Sequence, residues 1–190
     1  MTNQSNRTAV ITGAGDGIGR ALAINLNSRG IDLYLCDIDR ERLDATAGML
    51  NRDGVTVSTA VVDCGNREQI ETWAEMICAE NDSLDFLFNN AGVGYASPFR
   101  DASLENFEWL MNINYWGVVW STKAFLPLLE ASPAGHLVNI SSIFGMVGIA
   151  TQSAYNSAKF AVRGFTESLQ GRILGFSINR DLCSPGRYRD

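Results

Sequence analysis

Four glycines alternate through Gly13-Ala14-Gly15-Asp16-Gly17-Ile18-Gly19, directly after an apolar segment, Thr8 to Thr12 (T-A-V-I-T). The same glycines open a segment with helical spacing, Gly17 to Arg29, which Gly30 closes. A turn this rich in glycine can tighten beyond what side chains permit and can bring a strand and a helix into close contact. It limits the chain to architectures in which a buried strand feeds a helix through a very short connection.

The same alternation continues downstream. Ile31 to Cys36 reads as a second strand, and Asp39 as the N-cap of a charged-faced helix running to about Arg52. Val55 to Val62 is β-branched and strand-like, and Asn66 to Glu80 has helical spacing through Ile70, Trp73, Ala74 and Ile77. Leu84 to Phe88 is a short apolar strand, followed by a loop from Gly92 to Asp101. Leu104 to Ala131 is helical with a break near Met111 to Asn114, Leu137 to Ile140 is a fifth strand, and Ser153 to Leu169 a further helix. Phe176 to Cys183 is the weakest strand, because Arg180 and Asp181 lie inside it. Strands and helices in this order imply a parallel sheet covered on both faces. The expected architecture is one doubly wound α/β domain over residues 1–190, a Rossmann fold.

In such a fold the glycine turn lets a pyrophosphate approach the backbone, and the helix N-terminus offers it free N–H groups. The second strand ends at Asp37, 18 residues after Gly19, where a carboxylate can accept hydrogen bonds from an adenosine ribose. It would repel a 2′-phosphate, and the slot before Gly17 holds Asp16 rather than Arg or Lys, so NAD is favoured over NADP. Asp37 can also be read as a surface turn residue preceding the Asp39 cap.

Tyr155 and Lys159 are four apart and share one helix face; Lys123 is the only other lysine in the chain. A free phenol, with a pKa of about 10, is a poor base at neutral pH. An adjacent ammonium lowers that value, which general acid–base chemistry requires. Apart from that role, the pair could be a packed ring beside a solvated lysine.

Composition excludes several classes. Apolar residues make up 46% of the 190-residue chain, enough for a sizeable core. The formal charge is −6, from 21 acidic and 15 basic side chains, with no basic cluster to favour nucleic acid. The apolar stretch Ile143 to Ala150 is far below the roughly 18 residues of a membrane span. The polar stretch Met1 to Arg7 lacks the apolar region of a secretory signal. Cys36, Cys64, Cys78 and Cys183 form no C-x-x-C pair, which fits reduced thiols and a cytoplasmic protein. A single histidine, His136, at the start of the fifth strand, argues against a metal site.

Taken in order, these segments resemble the short-chain dehydrogenase/reductase family over Thr8 to Leu169. The resemblance rests on the Thr12 to Gly19 turn, on Asp63 after the third strand and on Asn89-Asn90-Ala91-Gly92 after the fourth. It rests equally on Asn114-Tyr115-Trp116-Gly117, Asn139-Ile140-Ser141-Ser142 and Tyr155-Asn156-Ser157-Ala158-Lys159. The resemblance implies an oxidoreductase that moves a hydride between a nicotinamide and a secondary alcohol or ketone. Tyr155 would be the general acid/base, and Lys159 would tune it and hold the nicotinamide ribose. Ser142, rather than its neighbour Ser141, would bind the substrate oxygen, and Asn114 would sit at a helix break, where a backbone carbonyl and a water extend a proton relay towards Lys159. Gly13, Gly15, Asp16, Gly17, Ile18, Gly19, Asp37, Asp63, Asn89, Ala91, Gly92, Tyr155, Lys159, Pro185 and Gly186 would contact or support the cofactor. Asp63 would contact the adenine, though it also suits a turn before Gly65. Val93, Tyr95, Phe144, Met146, Val147 and Ile149 would line a pocket for an apolar substrate. Trp109, Trp116 and Trp120 suit packing, internal or against another subunit, and the resemblance implies a homodimer or homotetramer.

The family usually continues beyond a Pro-Gly turn into a substrate-covering segment and a last strand. Here Ser184-Pro185-Gly186 matches that turn and the sequence stops at Asp190. Gly171 and Gly175 weaken the preceding helix end. The expectation is a family architecture without its last strand and lid. Two alternatives to the enzyme stay open: a non-catalytic NAD-binding or subunit-interaction protein, and a lyase or epimerase using bound NAD.

Overall fold

A computed structural model describes residues 6–169. The expected strand at Phe176 to Cys183 and the Ser184-Pro185-Gly186 turn lie outside the described residues. Five strands, β1 (Thr8–Thr12), β2 (Asp32–Asp37), β3 (Val57–Val61), β4 (Phe86–Asn89) and β5 (His136–Asn139), form one sheet in the order β3-β2-β1-β4-β5. Every pairing is parallel. The helices are α1 (Gly17–Ser28), α2 (Arg40–Ala47), α3 (Arg67–Glu80), α4 (Leu104–Met111), α5 (Gly117–Ala131) and α6 (Ser153–Leu169).

β1 is apolar at Ala9, Val10 and Ile11, all fully buried, because both of its faces are covered. Val10 points to one side, where Leu87 and Leu137 meet Ile70, Trp73 and Ile77 of α3 and Phe125 and Leu129 of α5. Trp73 and Phe125 meet edge to face, with ring centroids 5.7 Å apart. Ala9 and Ile11 point to the other side, against Leu33, Leu35, Ala23 and Leu26 of α1, and Leu43 of α2. Each such aliphatic side chain removed from water contributes about 1.5–3 kcal/mol. The sheet is therefore fixed from both sides, and the loops at the carboxyl ends of its strands are held on a rigid base.

The caps follow from local chemistry. Asp39 Oδ1 accepts from Arg42 N at 3.1 Å and Asn66 Oδ1 from Gln69 N at 3.2 Å, which start α2 and α3. α2 departs from the expected span: it ends at Ala47, not near Arg52. Arg52 is drawn to the end of α1 instead, where its N–H donates to Asn27 Oδ1 and its guanidinium to Ser28 O. Those tertiary bonds compete with continuation of the helix.

The interruption expected near Met111 to Asn114 is not a break. Asn112–Trp116 form a π-helical turn that joins α4 to α5. The wider turn places Asn114, which is fully buried, so that Oδ1 accepts from Val93 N at 2.7 Å and Nδ2 donates to Val93 O at 2.8 Å. Such turns are rare and concentrate at functional sites. No helix among the described residues is long and apolar enough to cross a membrane.

Candidate active site

Strand order reverses between β1 and β4: the chain runs outward to β2 and β3, then returns to β4 and β5 on the other side. In open α/β sheets a crevice forms outside the carboxyl ends of the strands at such a switch point. Here it is a cleft of about 430 Å³ whose wall includes Gly13, Gly17, Asp37, Asn90, Tyr155 and Lys159.

The floor is built by the glycine turn. Gly13 has φ +65°, and a Cβ there would lie 2.8 Å from the Ala91 Cα. A Cβ on Gly19 would run into the Gly13 carbonyl, so α1 approaches β1 only because position 19 is glycine. Asp16 caps α1 by accepting from Gly17 N at 2.7 Å, and no acidic residue occupies the helix's first turn. Thr12 Oγ1 accepts from both Asn90 N and Ala91 N at 3.0 Å, and Asn90 Nδ2 donates to the carbonyls of Thr12 and Gly13. These bonds tie the end of β1 to the end of β4.

At one end of the cleft stand Asp16, Asp37, Ile38 and Arg42. Asp37 Oδ2 accepts from Gly15 N at 2.9 Å and Oδ1 from Asp39 N at 2.9 Å, so the carboxylate faces the turn with fixed orientation. Val62, Asp63, Cys64 and Ile113 wall the adjoining slot. Asp63 does two things: it lines the cleft, and its Oδ1 accepts from Gly65 N at 2.8 Å to form a turn. Burial beside Cys64 pushes the Cys36 thiol well above its ordinary range, desolvation being the larger cause.

At the other end Tyr155 and Lys159 project from α6. Lys159 is 5% exposed, and its Nζ donates to Ile140 O at 2.9 Å. No carboxylate pairs with it among the described residues, and desolvation pushes its pKa down to about 8. The ammonium lies 5.6 Å from the centroid of the Tyr155 ring, whose edge meets Phe144. A Cβ on Gly92 would sit 3.2 Å from Asn114 Oδ1 and 3.6 Å from Lys159 Nζ, so the open space before the ammonium depends on glycine there.

The two serines part ways. Ser141 lines the cleft and donates its hydroxyl to Lys159 O at 3.3 Å. Ser142 Oγ accepts from Phe144 N at 3.2 Å and starts a short 3-10 turn, Ile143–Gly145. Asn156 then holds the following loop: Nδ2 donates to Phe144 O and Val147 O at 2.8 Å, and Oδ1 accepts from Ile149 N at 3.2 Å. Met146, Val147 and Ile149 on that loop are exposed. Val93 and Tyr95 pack beside Tyr155 around Leu110, Ala154 and Ala158.

Among the expected cofactor residues, Gly13, Asp16, Gly17, Ile18, Asp37, Asp63, Ala91, Gly92, Tyr155 and Lys159 come together in the cleft wall. Gly15 and Gly19 shape the turn from behind. Asn89 stands inside the protein, away from the wall, bonded to Ser121, Thr122 and Asn139. Pro185 and Gly186 lie outside the described residues. Sequence reading passed over Arg42 and Asn90 as site residues. Asn90 had a signal, since successive residues leaving a strand face opposite ways. His136 begins β5 with its ring against Phe86, remote from the cleft. No group of three or more His, Cys, Asp or Glu side chains among the described residues is placed to hold a metal.

A five-stranded parallel sheet with this order, a glycine turn at its switch point and helices on both faces is a dinucleotide-binding Rossmann fold. The profile of the short chain dehydrogenase family matches residues 7–189, and the chain belongs to that family. It is 42% identical over 174 residues to the SadH protein of Mycobacterium tuberculosis, covering 92% of this chain and 63% of that protein. A short chain dehydrogenase/reductase from Burkholderia phymatum, solved in complex with NAD, superposes with a TM-score of 0.85 at 33% identity. That match covers 93% of this chain and 66% of the other. A metagenomic short-chain oxidoreductase in complex with NADP gives 0.84 at 30% identity, covering 91% and 80%. The chain thus spans less than two thirds of SadH's length.

Proposed function

We propose that this chain carries the cofactor and catalytic portion of an NAD-dependent oxidoreductase acting on a secondary alcohol or ketone. The observation that carries the proposal is Lys159: a buried ammonium with a carbonyl partner and, among the described residues, no carboxylate, beside the Tyr155 ring in the wall of a glycine-floored cleft.

The residues fit a dinucleotide. Backbone N–H groups at the start of α1 suit a diphosphate, and Asp37 suits a ribose diol. A nicotinamide dinucleotide held there supplies the hydride acceptor in oxidation and the donor in reduction. An ammonium beside a phenol favours the phenolate, and Lys159 Nζ stands 5.6 Å from the Tyr155 ring centroid; in this reading Tyr155 Oη takes the proton of the alcohol in oxidation and returns it in reduction. Ser142 keeps the role of holding the substrate oxygen. Ser141 already donates its hydrogen to Lys159 O, whereas the bond that Ser142 accepts from Phe144 N leaves its own hydrogen to give. The Asn114 side chain is bonded to both backbone groups of Val93, which is compatible with a relay through the backbone carbonyl in the π turn. The exposed apolar loop at Met146, Val147 and Ile149 favours an apolar substrate.

Trp116, 43% exposed and stacked on Trp120 with centroids 6.0 Å apart, supports self-association through the α4–α5 face. Sedimentation would then show a species of twice the 20.7 kDa chain mass or a higher multiple, and a monomer at all concentrations would refute it.

The test is NAD-linked turnover of a panel of apolar secondary alcohols, with NAD binding measured in parallel, for the wild type and Tyr155→Phe. The expected result is equal NAD affinity and a loss of turnover in the variant of at least about a hundredfold. Wild-type binding without turnover of any alcohol or ketone would replace this reading with a non-catalytic dinucleotide-binding protein.

A further inference from the structure

Asn156 follows Tyr155 on α6 but is no part of the cleft wall; it is buried, and its side chain serves one loop. Nδ2 donates to Phe144 O and to Val147 O, each at 2.8 Å, and Oδ1 accepts from Ile149 N at 3.2 Å. A carboxamide has two N–H donors and one carbonyl, so every polar group of this side chain is committed to that backbone. Backbone bonds close the start of the loop, from Ser142 to Val147, and one more, Gln152 N to Ile149 O, closes its end. Asn156 joins the two parts. Beyond them Thr151 has φ +68°, which a β-branched residue seldom adopts, and its carbonyl accepts from Ser97 N at 2.8 Å. Such a conformation persists only where the surroundings over-determine it. The loop therefore has one specified path, set by Asn156 in its middle and by Ser97 at its end.

That path decides what the loop presents. It starts at Phe144, whose ring stands edge-on to the Tyr155 ring with centroids 5.8 Å apart. It then carries Met146, Val147 and Ile149, exposed and outside the residues that wall the cleft. Tyr155 and Lys159 do not depend on it for their own placement, since both stand on α6 and Lys159 Nζ is fixed by Ile140 O. We propose that Asn156 is a positioning residue for substrate recognition: it holds the loop so that its apolar side chains meet the part of the alcohol or ketone beyond the reacting carbon. The proposal rests on the oxidoreductase reading of the cleft. A small alcohol is held beside Tyr155 alone, whereas a larger one also buries apolar surface against the loop. The loss on releasing the loop then grows with the apolar size of the substrate.

Four proteins test it: the wild type, Asn156→Asp, Asn156→Ser and Val162→Ala. Aspartate keeps the shape and the acceptor for Ile149 N, but as a carboxylate it donates nothing to Phe144 O or Val147 O. Serine is too short to reach all three groups and introduces no charge, so it carries the test should the aspartate variant fail to unfold cooperatively in urea. Val162 is fully buried on the same helix, and its truncation loosens α6 while removing none of the loop's hydrogen bonds. Each protein is assayed with NAD and the smallest and largest secondary alcohols that the wild type oxidises, from a series running from isopropanol through cyclohexanol to menthol. NAD affinity is measured by calorimetry.

Both Asn156 variants should raise KM for the largest alcohol at least about tenfold and for the smallest by no more than about threefold, with kcat and NAD affinity within about twofold of the wild type. Val162→Ala should lower stability and leave the ratio of the two KM values unchanged. Equal KM changes for the two alcohols, or a fall in kcat for both, overturns the inference and leaves the oxidoreductase reading intact, because Asn156 would then support Tyr155 or α6 as a whole. A KM ratio that Val162→Ala moves as far also overturns it. A wild type that binds NAD and oxidises none of the series, nor reduces the corresponding ketones, removes the oxidoreductase reading and this inference together.

Discussion

Lys159 should make the stability of the protein depend on pH in a direction opposite to that of an ordinary salt-bridged lysine. Its pKa falls from 10.5 to about 8 because burial strips water from the ammonium, and no carboxylate among the described residues offsets that loss. The folded state therefore releases the proton more readily than the unfolded chain. Below about pH 8 both states are protonated and the full cost is present; it fades as pH rises, and is gone above about pH 10.5. A shift of this size corresponds to about 3 kcal/mol, of which about 2 kcal/mol is recovered between about pH 7 and about pH 9.5. Lys159→Met keeps most of the stem and removes the charge. It also removes the bond to Ile140 O, at a cost of about 1–3 kcal/mol that does not change with pH. Comparing Tyr155→Phe with Tyr155→Phe/Lys159→Met prevents the phenol from titrating in either protein. The raised thiols Cys36 and Cys78 are common to both proteins and cancel. Urea unfolding followed by tryptophan fluorescence should show the stability advantage of the methionine protein shrinking by about 2 kcal/mol over that pH range. A difference that stays flat would mean that the ammonium is solvated or paired, and the account of how Tyr155 is tuned would fail.

Two other substitutions test the frame of the site. Gly13→Ala would force a side chain into a positive-φ position against the Ala91 backbone; NAD affinity should fall at least about tenfold, measured by titration, with the circular dichroism spectrum unchanged. Asn114→Ala would leave the N–H and C=O of Val93 without their partners in the interior; thermal or urea unfolding should show a loss of about 2–4 kcal/mol, and unchanged stability would refute the role given to the π turn.

Much of the scaffold is legible in the chain because its determinants are local. Asp39 and Asn66 announce helix starts, the glycine turn announces a strand feeding a helix, and the apolar runs give the sheet. The spacing of Tyr155 and Lys159 places them on one face, and α6 has that geometry. What escaped the sequence depends on contacts between distant segments. The end of α2 is decided by Arg52 reaching α1, and the interruption after Met111 becomes a π turn because Asn114 has Val93 to bind. Asn89 and Asn90 differ by one residue at a strand end, which sends one into the interior and the other to the cleft. Arg42, in the first turn of α2, meets Asp16 at the glycine turn, 26 residues away in the chain.

The most direct test of the central claim, that the cleft at the strand switch point is a dinucleotide site, is thermal unfolding of the 190-residue chain with and without NAD. At about 100 times its dissociation constant a nucleotide bound only to the folded state adds about 2.7 kcal/mol of stability. The account predicts a single cooperative transition that moves several degrees upward with NAD, and an upward shift that falls to about half or less in Gly13→Ala at the same NAD concentration. A transition that does not move at saturating NAD would contradict it.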